Sequence, residues 1–375
     1  MAALLAYLAP LGLAALVGLL GLACLGAQRA RLPRPVVLTA GAVLLWAGAS
    51  LAWSPARPWL AAKGWVSGIE HVTLLETVLF ALTAFWAAGA ALSLDAERAA
   101  RTMRALRWSI LALAAMLAAD SLAGGKIYGA LHRLVETPGP ADFSQVWAAR
   151  GGYVLAVLMW PWLAGLKGRA RWLAPVPFLT VAAVTVLLHQ DAPLLALIAG
   201  SAAFALVLAA GTRGLAIVGA LHAAFWLATP WALRALLPAL DARLAAGAIK
   251  PSWTVRLKIW RFAVDRIAEH PIRGWGMDAS RAFGDSIPLH THDWSLQAWL
   301  ELGLPGAVLV AALWLAILAS ARRLGSAVQR AAAAGGMSAY LTIGAVSFGL
   351  WQPWWLAVGV LAILAQIVAS RTRAP

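Results

Sequence analysis

Cysteine is almost absent from this chain, and charged residues are scarce. The 375 residues include one cysteine, Cys24, so no disulfide can form within the chain and no site built from several thiolates is available. Only 12% of the residues are charged and 62% are hydrophobic, whereas about a quarter of the residues of a typical soluble domain are charged. This composition excludes an ordinary soluble globular protein.

Long apolar runs take the place of the missing charge. Runs of roughly twenty residues can cross a bilayer as helices, which satisfy their own backbone hydrogen bonds in lipid. The pattern predicts an all-α integral membrane protein, a single polytopic domain over residues 1–375 with about eleven (roughly ten to twelve) transmembrane helices. The predicted spans are 3–26, 36–54, 72–94, 108–123, 151–166, 172–189, 194–211, 214–233, 295–319, 338–350 and 352–370.

Basic residues are distributed unevenly between the loops. Lysine and arginine number 30 against 15 acidic residues, and every second short loop is basic. Basic short loops mark the cytoplasmic side, so the net charge of +15 largely reports topology and does not indicate nucleic-acid binding. The C-terminus is therefore predicted in the cytoplasm, and the N-terminus and a large loop, 235–293, in the periplasm. The basic loops contain Arg29, Arg31, Arg34, Arg98, Arg101, Arg104, Arg107, Lys167, Arg169, Arg171, Arg213, Arg322, Arg323, Arg330, Arg371 and Arg373.

Tryptophan is frequent, with 21 residues. Many of them fall near predicted span ends, which predicts an aromatic belt at the membrane interface, with stacking on sugar rings as the alternative for a few. The clustered residues are Trp53, Trp59, Trp65, Trp160, Trp162, Trp226, Trp231, Trp351, Trp354 and Trp355.

The large loop 235–293 gathers ionisable residues into one place. Nine of the 30 lysines and arginines lie between Arg234 and Arg281. Apolar residues at helical spacing predict a short amphipathic helix over 253–269, lying in the outer membrane interface. A membrane protein that collects its charges in one loop is expected to carry out its chemistry there.

Arginines at the outer interface suit a phosphate or diphosphate ligand. The guanidinium is a planar fork of donors that stays charged at any working pH. Arg256 and Arg261, in the predicted loop helix, are therefore candidate diphosphate ligands. Arg150 is a third, because it stands at the outer start of a span, where an arginine breaks the alternation of basic loops. Snorkelling of Arg150 to lipid phosphate is the alternative.

Two histidines follow the loop helix at the start of the next span. An imidazole titrates near neutrality, so His290 or His292 could accept the proton of an attacking hydroxyl. Two alternatives remain open. The two histidines and Asp293 could bind a metal ion with Asp278 or Asp285, although their spacing is a weak signal. They could also make structural hydrogen bonds at the start of the helix.

An ordered set of these residues resembles the O-antigen ligase and polymerase superfamily. The set comprises Arg256-x-x-Ile259-Trp260, His270-Pro271-x-x-Gly274-Trp275-Gly276, His290-x-His292-Asp293, Leu296-Gln297, Glu301-Leu302-Gly303 and, late in the chain, Phe348-Gly349-Leu350-Trp351-Gln352. The resemblance implies a multi-pass bacterial inner-membrane glycosyltransferase of the GT-C type with its active site facing the periplasm. Such enzymes use glycans linked to undecaprenyl diphosphate, without a nucleotide sugar, a cofactor or an essential metal.

The resemblance also implies roles for individual residues. Arg256 would hold the donor diphosphate, His292 would match the family's important second histidine, and Arg150 resembles an upstream arginine of the family. Asp293 stands where the family usually has asparagine, and its charge could raise the pKa of His292 while that of Arg256 could lower it. The residues expected to support this site are His290, Asp293, Trp260, Gly274, Gly276 and Glu301.

The implied reaction is that of an O-antigen ligase, which transfers a glycan from undecaprenyl diphosphate to lipid A-core. The first alternative is a polymerase that extends lipid-linked O-antigen or exopolysaccharide repeats. The second is a transporter of lipid-linked sugars, for which repeated halves and midplane charges would be expected. The expected partners are the lipid-linked glycan donor, a lipid A-core or lipid-linked glycan acceptor, and membrane lipids, with no nucleic acid.

We predict that reporter fusions after Gly284 and after Arg373 give opposite compartment signals, because alternate loops carry the arginines. A periplasmic signal after Gly284 and a cytoplasmic signal after Arg373 are expected. Matching signals would contradict the predicted topology.

Overall fold

The computed structural model describes residues 2–27, 29–56, 73–134, 146–248 and 253–372. These ranges are all-helical and contain no β-strand, so the prediction of an all-α protein is confirmed. Six helical segments within them are long and apolar enough to cross a membrane. The count of eleven spans stays a prediction.

Thirteen α-helices occur in the described residues. They are α1 (Ala2–Leu8), α2 (Leu13–Ala23), α3 (Arg34–Ser50), α4 (Thr73–Leu92), α5 (Ala96–Leu122), α6 (Lys126–His132), α7 (Arg150–Ala164), α8 (Pro175–Leu187), α9 (Asp191–Ala245), α10 (Trp253–Glu269), α11 (Trp294–Ser320), α12 (Ala327–Val346) and α13 (Pro353–Arg371).

Two predicted spans differ from the observed helices for identifiable reasons. The first span, 3–26, is divided into α1, a 3-10 turn at Pro10–Gly12 and α2, because proline lacks an N–H and cannot continue the α1 hydrogen-bond ladder. The last but one, 338–350, overlaps only the second half of α12, which begins at Ala327 and ends at Val346; Gln329 and Arg330 lower the hydropathy of its first turns.

The 55-residue helix α9 is interrupted at Gly211, whose backbone φ is 57° and ψ −127°. The chain folds back closely here, since a Cβ added at Gly214 would lie 2.5 Å from the Leu206 carbonyl oxygen. The interruption lies between the predicted spans 194–211 and 214–233. The second arm continues to Ala245, so the first part of the predicted loop 235–293 is helical.

Only some of the tryptophans predicted to lie at the membrane interface are exposed. Trp231 is well exposed, but four tryptophans assigned to the belt, Trp160, Trp162, Trp226 and Trp355, are almost completely buried. Trp160 fits between two helices because a Cβ at Gly200 or Gly335 would lie within 3 Å of its ring. The hydropathy pattern placed these tryptophans near the ends of predicted spans. It could not show that their side chains face other helices. Trp59 and Trp65 lie outside the described residues.

A turn at 271–276 interlocks with a break in α11. The break is at Gly303, where φ is 63° and ψ is −162°. The freed carbonyl oxygens of Leu300 and Glu301 accept hydrogen bonds from the N–H groups of Trp275 at 2.8 Å and Gly276 at 2.7 Å. The break therefore leaves these buried carbonyl groups paired, which membrane-embedded backbone requires. Through this pairing, the turn with Gly274 and Gly276 and the break at Gly303 form one backbone unit although they are distant in the sequence.

The interlocked turns are attached to α3. The Trp46 indole N–H donates to the Leu302 carbonyl oxygen at 2.8 Å. Met277 N–H donates to Ser50 Oγ at 2.9 Å, and Ser54 Oγ donates to the Met277 carbonyl oxygen at 2.6 Å. The residues that follow α10 are thus fixed to the apolar helices.

We predict that Gly303→Ala strongly lowers the thermal stability of the detergent-purified protein. The added methyl group would lie 2.1 Å from the Ile272 carbonyl oxygen. Gly284→Ala is the matched control, because Gly284 also has a positive φ of 54° but no neighbouring atom within 4 Å of an added Cβ. Gly284→Ala reports the cost of a positive φ without a clash, whereas Gly303→Ala adds the clash to a φ/ψ combination that is essentially restricted to glycine. Equal melting temperatures for the two variants would contradict the interlock.

Candidate active site

Helix α10 places Arg256 against the C-terminal end of α12. The observed bounds of α10, Trp253–Glu269, confirm the predicted helix at 253–269. Arg256 Nε donates to the Val346 carbonyl oxygen at 3.0 Å, and the guanidinium lies over the Trp253 ring at 5.4 Å. Burial lowers the pKa of Arg256, while Tyr153 and Asp191 act in the opposite direction. The group remains a cation at neutral pH because the ordinary pKa of arginine exceeds about 12.

Trp260, one turn after Arg256, connects α10 to the histidines. Its indole N–H donates to the Thr291 carbonyl oxygen at 3.0 Å. The next residue, His292, has a φ of 56°, a left-handed conformation that is uncommon outside glycine and that concentrates at functional sites. Trp260, on the same face of α10 as Arg256, therefore links this helix to the histidine segment.

The hydrogen bond of His292 defines which ring nitrogen carries the proton. Nδ1 lies 2.9 Å from the Ser347 carbonyl oxygen. A carbonyl oxygen can only accept, so in the neutral ring Nδ1 carries the hydrogen and Nε2 presents a lone pair. No side chain or backbone group among the described residues hydrogen-bonds to Nε2. This nitrogen is available to accept a proton.

His290 lies beside His292, with ring centroids 4.2 Å apart. Its Nδ1 accepts from the His292 backbone N–H at 3.1 Å, and its Nε2 lies 3.3 Å from the side-chain amide nitrogen of Gln352. Burial, reinforced by the charges of His292, Arg281 and Arg256, lowers the pKa of His290 to about 3. The imidazole of His290 is neutral at physiological pH and supports the backbone of its neighbour.

The pKa of His292 is lowered, and Asp293 is not among the groups that shift it. Burial and the positive charge of Arg256 lower the pKa of His292, although the Ser347 hydrogen bond opposes them. Asp293 Oδ1 instead accepts from the Leu296 N–H at 2.8 Å, which caps the start of α11. Burial raises the pKa of the Asp293 carboxyl to about 7. The carboxyl is therefore only partly ionised near neutral pH.

Arg150 reaches the same neighbourhood from the start of α7. Arg150 and Arg256 both interact electrostatically with the buried Tyr153. The Tyr153 hydroxyl donates to Gln190 Oε1 at 3.2 Å, just before Asp191. Sequence reasoning missed Tyr153 and Asp191. Tyr153 could have been found from its spacing, since it follows Arg150 by three residues and shares its helix face.

Arg261 does not join this group. It is exposed on α10 and forms an ion pair with Asp241 at the end of α9. It lies five positions after Arg256, and at 3.6 residues per turn this places the two side chains well apart around the helix. The role of Arg261 as a diphosphate ligand stays a prediction, and its side chain lies apart from that of Arg256.

Two of the three acidic residues of the metal alternative, Asp278 and Asp293, make other contacts. Asp278 accepts from Thr73 Oγ1 at 2.9 Å and lies 3.5 Å from Arg281 Nε, while Asp293 caps α11. Within the described ranges, no three His, Cys, Asp or Glu side chains are grouped so that they could hold a metal ion.

The remaining predicted supporting residues lie beneath the histidines. Gly274 and Gly276 form the interlocked turn, where a Cβ at Gly274 would lie 2.5 Å from the Glu301 carbonyl oxygen. The Glu301 carboxylate is fully buried and accepts hydrogen bonds from Ser280, Gln297 and Trp351. The site thus consists of two partly buried arginines and a neutral histidine above a buried polar network.

Comparisons with known proteins identify the same region. A family model described as O-antigen ligase matches residues 176–311, a range that contains α10, both histidines and the interlocked turns. The chain is 33% identical over 131 residues to the "Putative polysaccharide ligase" of Rickettsia conorii, covering 31% of this chain and 32% of that protein. It is 32% identical over 131 residues to the protein of the same description from Rickettsia felis, with the same coverage.

These matches are partial. The relative from Rickettsia typhi is 33% identical over 127 residues, covering 30% of this chain and 31% of that protein. The chain thus spans about a third of the length of the curated relatives it matches. Residues 176–311 of this chain are therefore similar to the O-antigen ligase family.

Proposed function

We propose that the protein is a glycosyltransferase of the O-antigen ligase type. It transfers a glycan from undecaprenyl diphosphate to a hydroxyl of lipid A-core at the periplasmic face of the bacterial inner membrane. One observation carries this proposal. Arg256 and His292 are held by consecutive backbone carbonyls, those of Val346 and Ser347, so that a cation and a neutral imidazole face one site.

The geometry supports a direct displacement at the anomeric carbon of the donor sugar. The acceptor hydroxyl oxygen forms the new glycosidic bond, its proton passes to His292 Nε2, and the bond from the sugar to the diphosphate oxygen breaks. Arg256 stabilises the negative charge on the departing undecaprenyl diphosphate, and Arg150, which also interacts with Tyr153, adds a second positive charge. Partial burial of both arginines strengthens this electrostatic effect. The positive field comes from arginine side chains, so we propose a reaction that needs neither cofactor nor metal.

The periplasmic orientation rests on the alternation of basic loops, which places α10 and the histidines on the side opposite to those loops. A polymerase would use the same donor and the same displacement with a lipid-linked glycan as acceptor. The two activities differ only in the acceptor. Separate assays with lipid A-core and with a lipid-linked glycan therefore distinguish them.

We predict that Arg256→Ala abolishes glycan transfer in a reconstituted membrane assay and that Arg256→Lys restores only part of it. A lysine supplies the charge but not the bidentate fork that matches a diphosphate. Arg261→Ala is the matched control on the same helix and should retain most of the activity, because its ion pair with Asp241 is exposed. Full activity of Arg256→Ala would refute its role as a phosphate ligand.

We predict that His292→Ala lowers the transfer rate on the order of 10²–10⁴-fold, the usual effect of removing a general base. Binding of the lipid-linked donor should change much less. In the wild type, activity should fall as the pH drops through the lowered pKa of His292, because the protonated ring cannot accept a proton. The acidic limb should therefore lie below the ordinary histidine pKa of about 6.5.

Chelation separates this mechanism from the metal alternative. Transfer should persist in EDTA if His292 acts as the base. Activity that is lost in EDTA and restored by Zn²⁺ or Mg²⁺ would contradict the proposed mechanism, as would undiminished turnover of His292→Ala.

A further inference from the structure

We propose that Glu301 is a positioning residue that fixes the segment 346–352, and through it Arg256 and His292. This inference rests on the proposed function. It concerns how the two groups of the site are aligned, and it assigns that task to a carboxylate that contacts neither of them.

The segment 346–352 connects α12 to α13, and its first residues hold the reactive groups. Val346 accepts the hydrogen bond of Arg256 at 3.0 Å, and Ser347 accepts that of His292 at 2.9 Å. Gly349 lies directly against the imidazole of His290, since an added Cβ would be 3.0 Å from the ring carbon Cγ. A shift of this segment would therefore move both the cation and the base.

The opposite side of the segment is held by α11. The Leu350 N–H donates to Gln297 Oε1 at 2.8 Å, and the Trp351 indole N–H donates to Glu301 Oε2 at 2.6 Å. Gln297 in turn donates through Nε2 to Glu301 Oε1 at 3.1 Å. Both attachments of the segment thus lead to the same carboxylate, one directly and one through Gln297.

Glu301 has the chemistry for this task. It is fully buried and receives three donors, the third being Ser280 Oγ at 2.6 Å. The two carboxyl oxygens of Glu301 accept all three hydrogen bonds, whereas a glutamine amide would turn N–H groups toward at least one of the donors. Glu301 also lies two residues before the break at Gly303, where the turn 271–276 fixes its backbone. The backbone of Glu301 is held in place and its two oxygens already accept three hydrogen bonds. The carboxyl group can therefore hold the segment in one position.

The test uses Glu301→Gln and Trp351→Phe in the full-length protein, assayed for transfer from undecaprenyl-diphosphate-linked glycan to lipid A-core. Trp351→Phe keeps an aromatic ring but removes the indole N–H. Trp314→Phe is the matched control, because Trp314 also donates a buried indole N–H, at 2.9 Å to His222 Nδ1, away from the segment. Melting temperature and size-exclusion behaviour report on folding.

Each site variant should lower kcat by up to about 10²-fold, the effect of small misplacements of reacting groups, with little change in the donor KM. The double variant should be no slower than the slower single variant. In a His292→Ala background the fold-loss should be smaller, because the part that comes from a misplaced base cannot arise where the base is absent. Trp314→Phe should retain its kcat.

Several outcomes would overturn the inference. They are an unchanged kcat for a folded Trp351→Phe, losses that multiply in the double variant, or the same fold-loss with and without His292. If Glu301→Gln does not fold, Trp351→Phe alone decides the question through the same measurements. A wild-type protein that transfers no glycan to any acceptor would instead refute the proposed function.

Discussion

The two hydrogen bonds at the C-terminal end of α12 are the constraint on which the site depends. The last carbonyl groups of a helix have no partner within the helix, and they carry the negative end of its dipole. Arg256 and His292 occupy two of these carbonyls, those of Val346 and Ser347. The helix end therefore orients a cation, fixes the tautomer of an imidazole and leaves Nε2 of His292 with its lone pair available.

The interlocked backbone below the site keeps this arrangement in place within an apolar surrounding. A break in a membrane helix leaves unpaired carbonyl and N–H groups, which are costly away from water. At Gly303 the turn 271–276 supplies the missing partners, and Leu304 N–H completes the exchange by donating to the Pro271 carbonyl oxygen at 2.9 Å. The same turn ends the connection from α10, so the helix that carries Arg256 and the helix that follows the histidines are joined through backbone atoms.

Local pattern was enough to predict part of this arrangement. Helical spacing located α10 and the shared face of Arg256 and Trp260, and glycine and proline located the turn after it. The direction of a side chain relative to distant elements could not be read in the same way. Arg261 pairs with Asp241 of another helix, and Asp293 turns its carboxylate into the start of α11. The Val346 and Ser347 carbonyls could not be foreseen, because backbone acceptors carry no sequence signal.

A cryo-electron microscopy structure of the wild-type protein with a bound undecaprenyl-diphosphate-linked glycan tests the central claim most directly. The account predicts diphosphate oxygens within about 3 Å of the Arg256 guanidinium, the distance of a charge-assisted hydrogen bond. It also predicts that Nδ1 of His292 remains on the Ser347 carbonyl while Nε2 faces the donor sugar. A diphosphate bound away from Arg256, or a His292 ring turned so that Nε2 faces the Ser347 carbonyl, would contradict it.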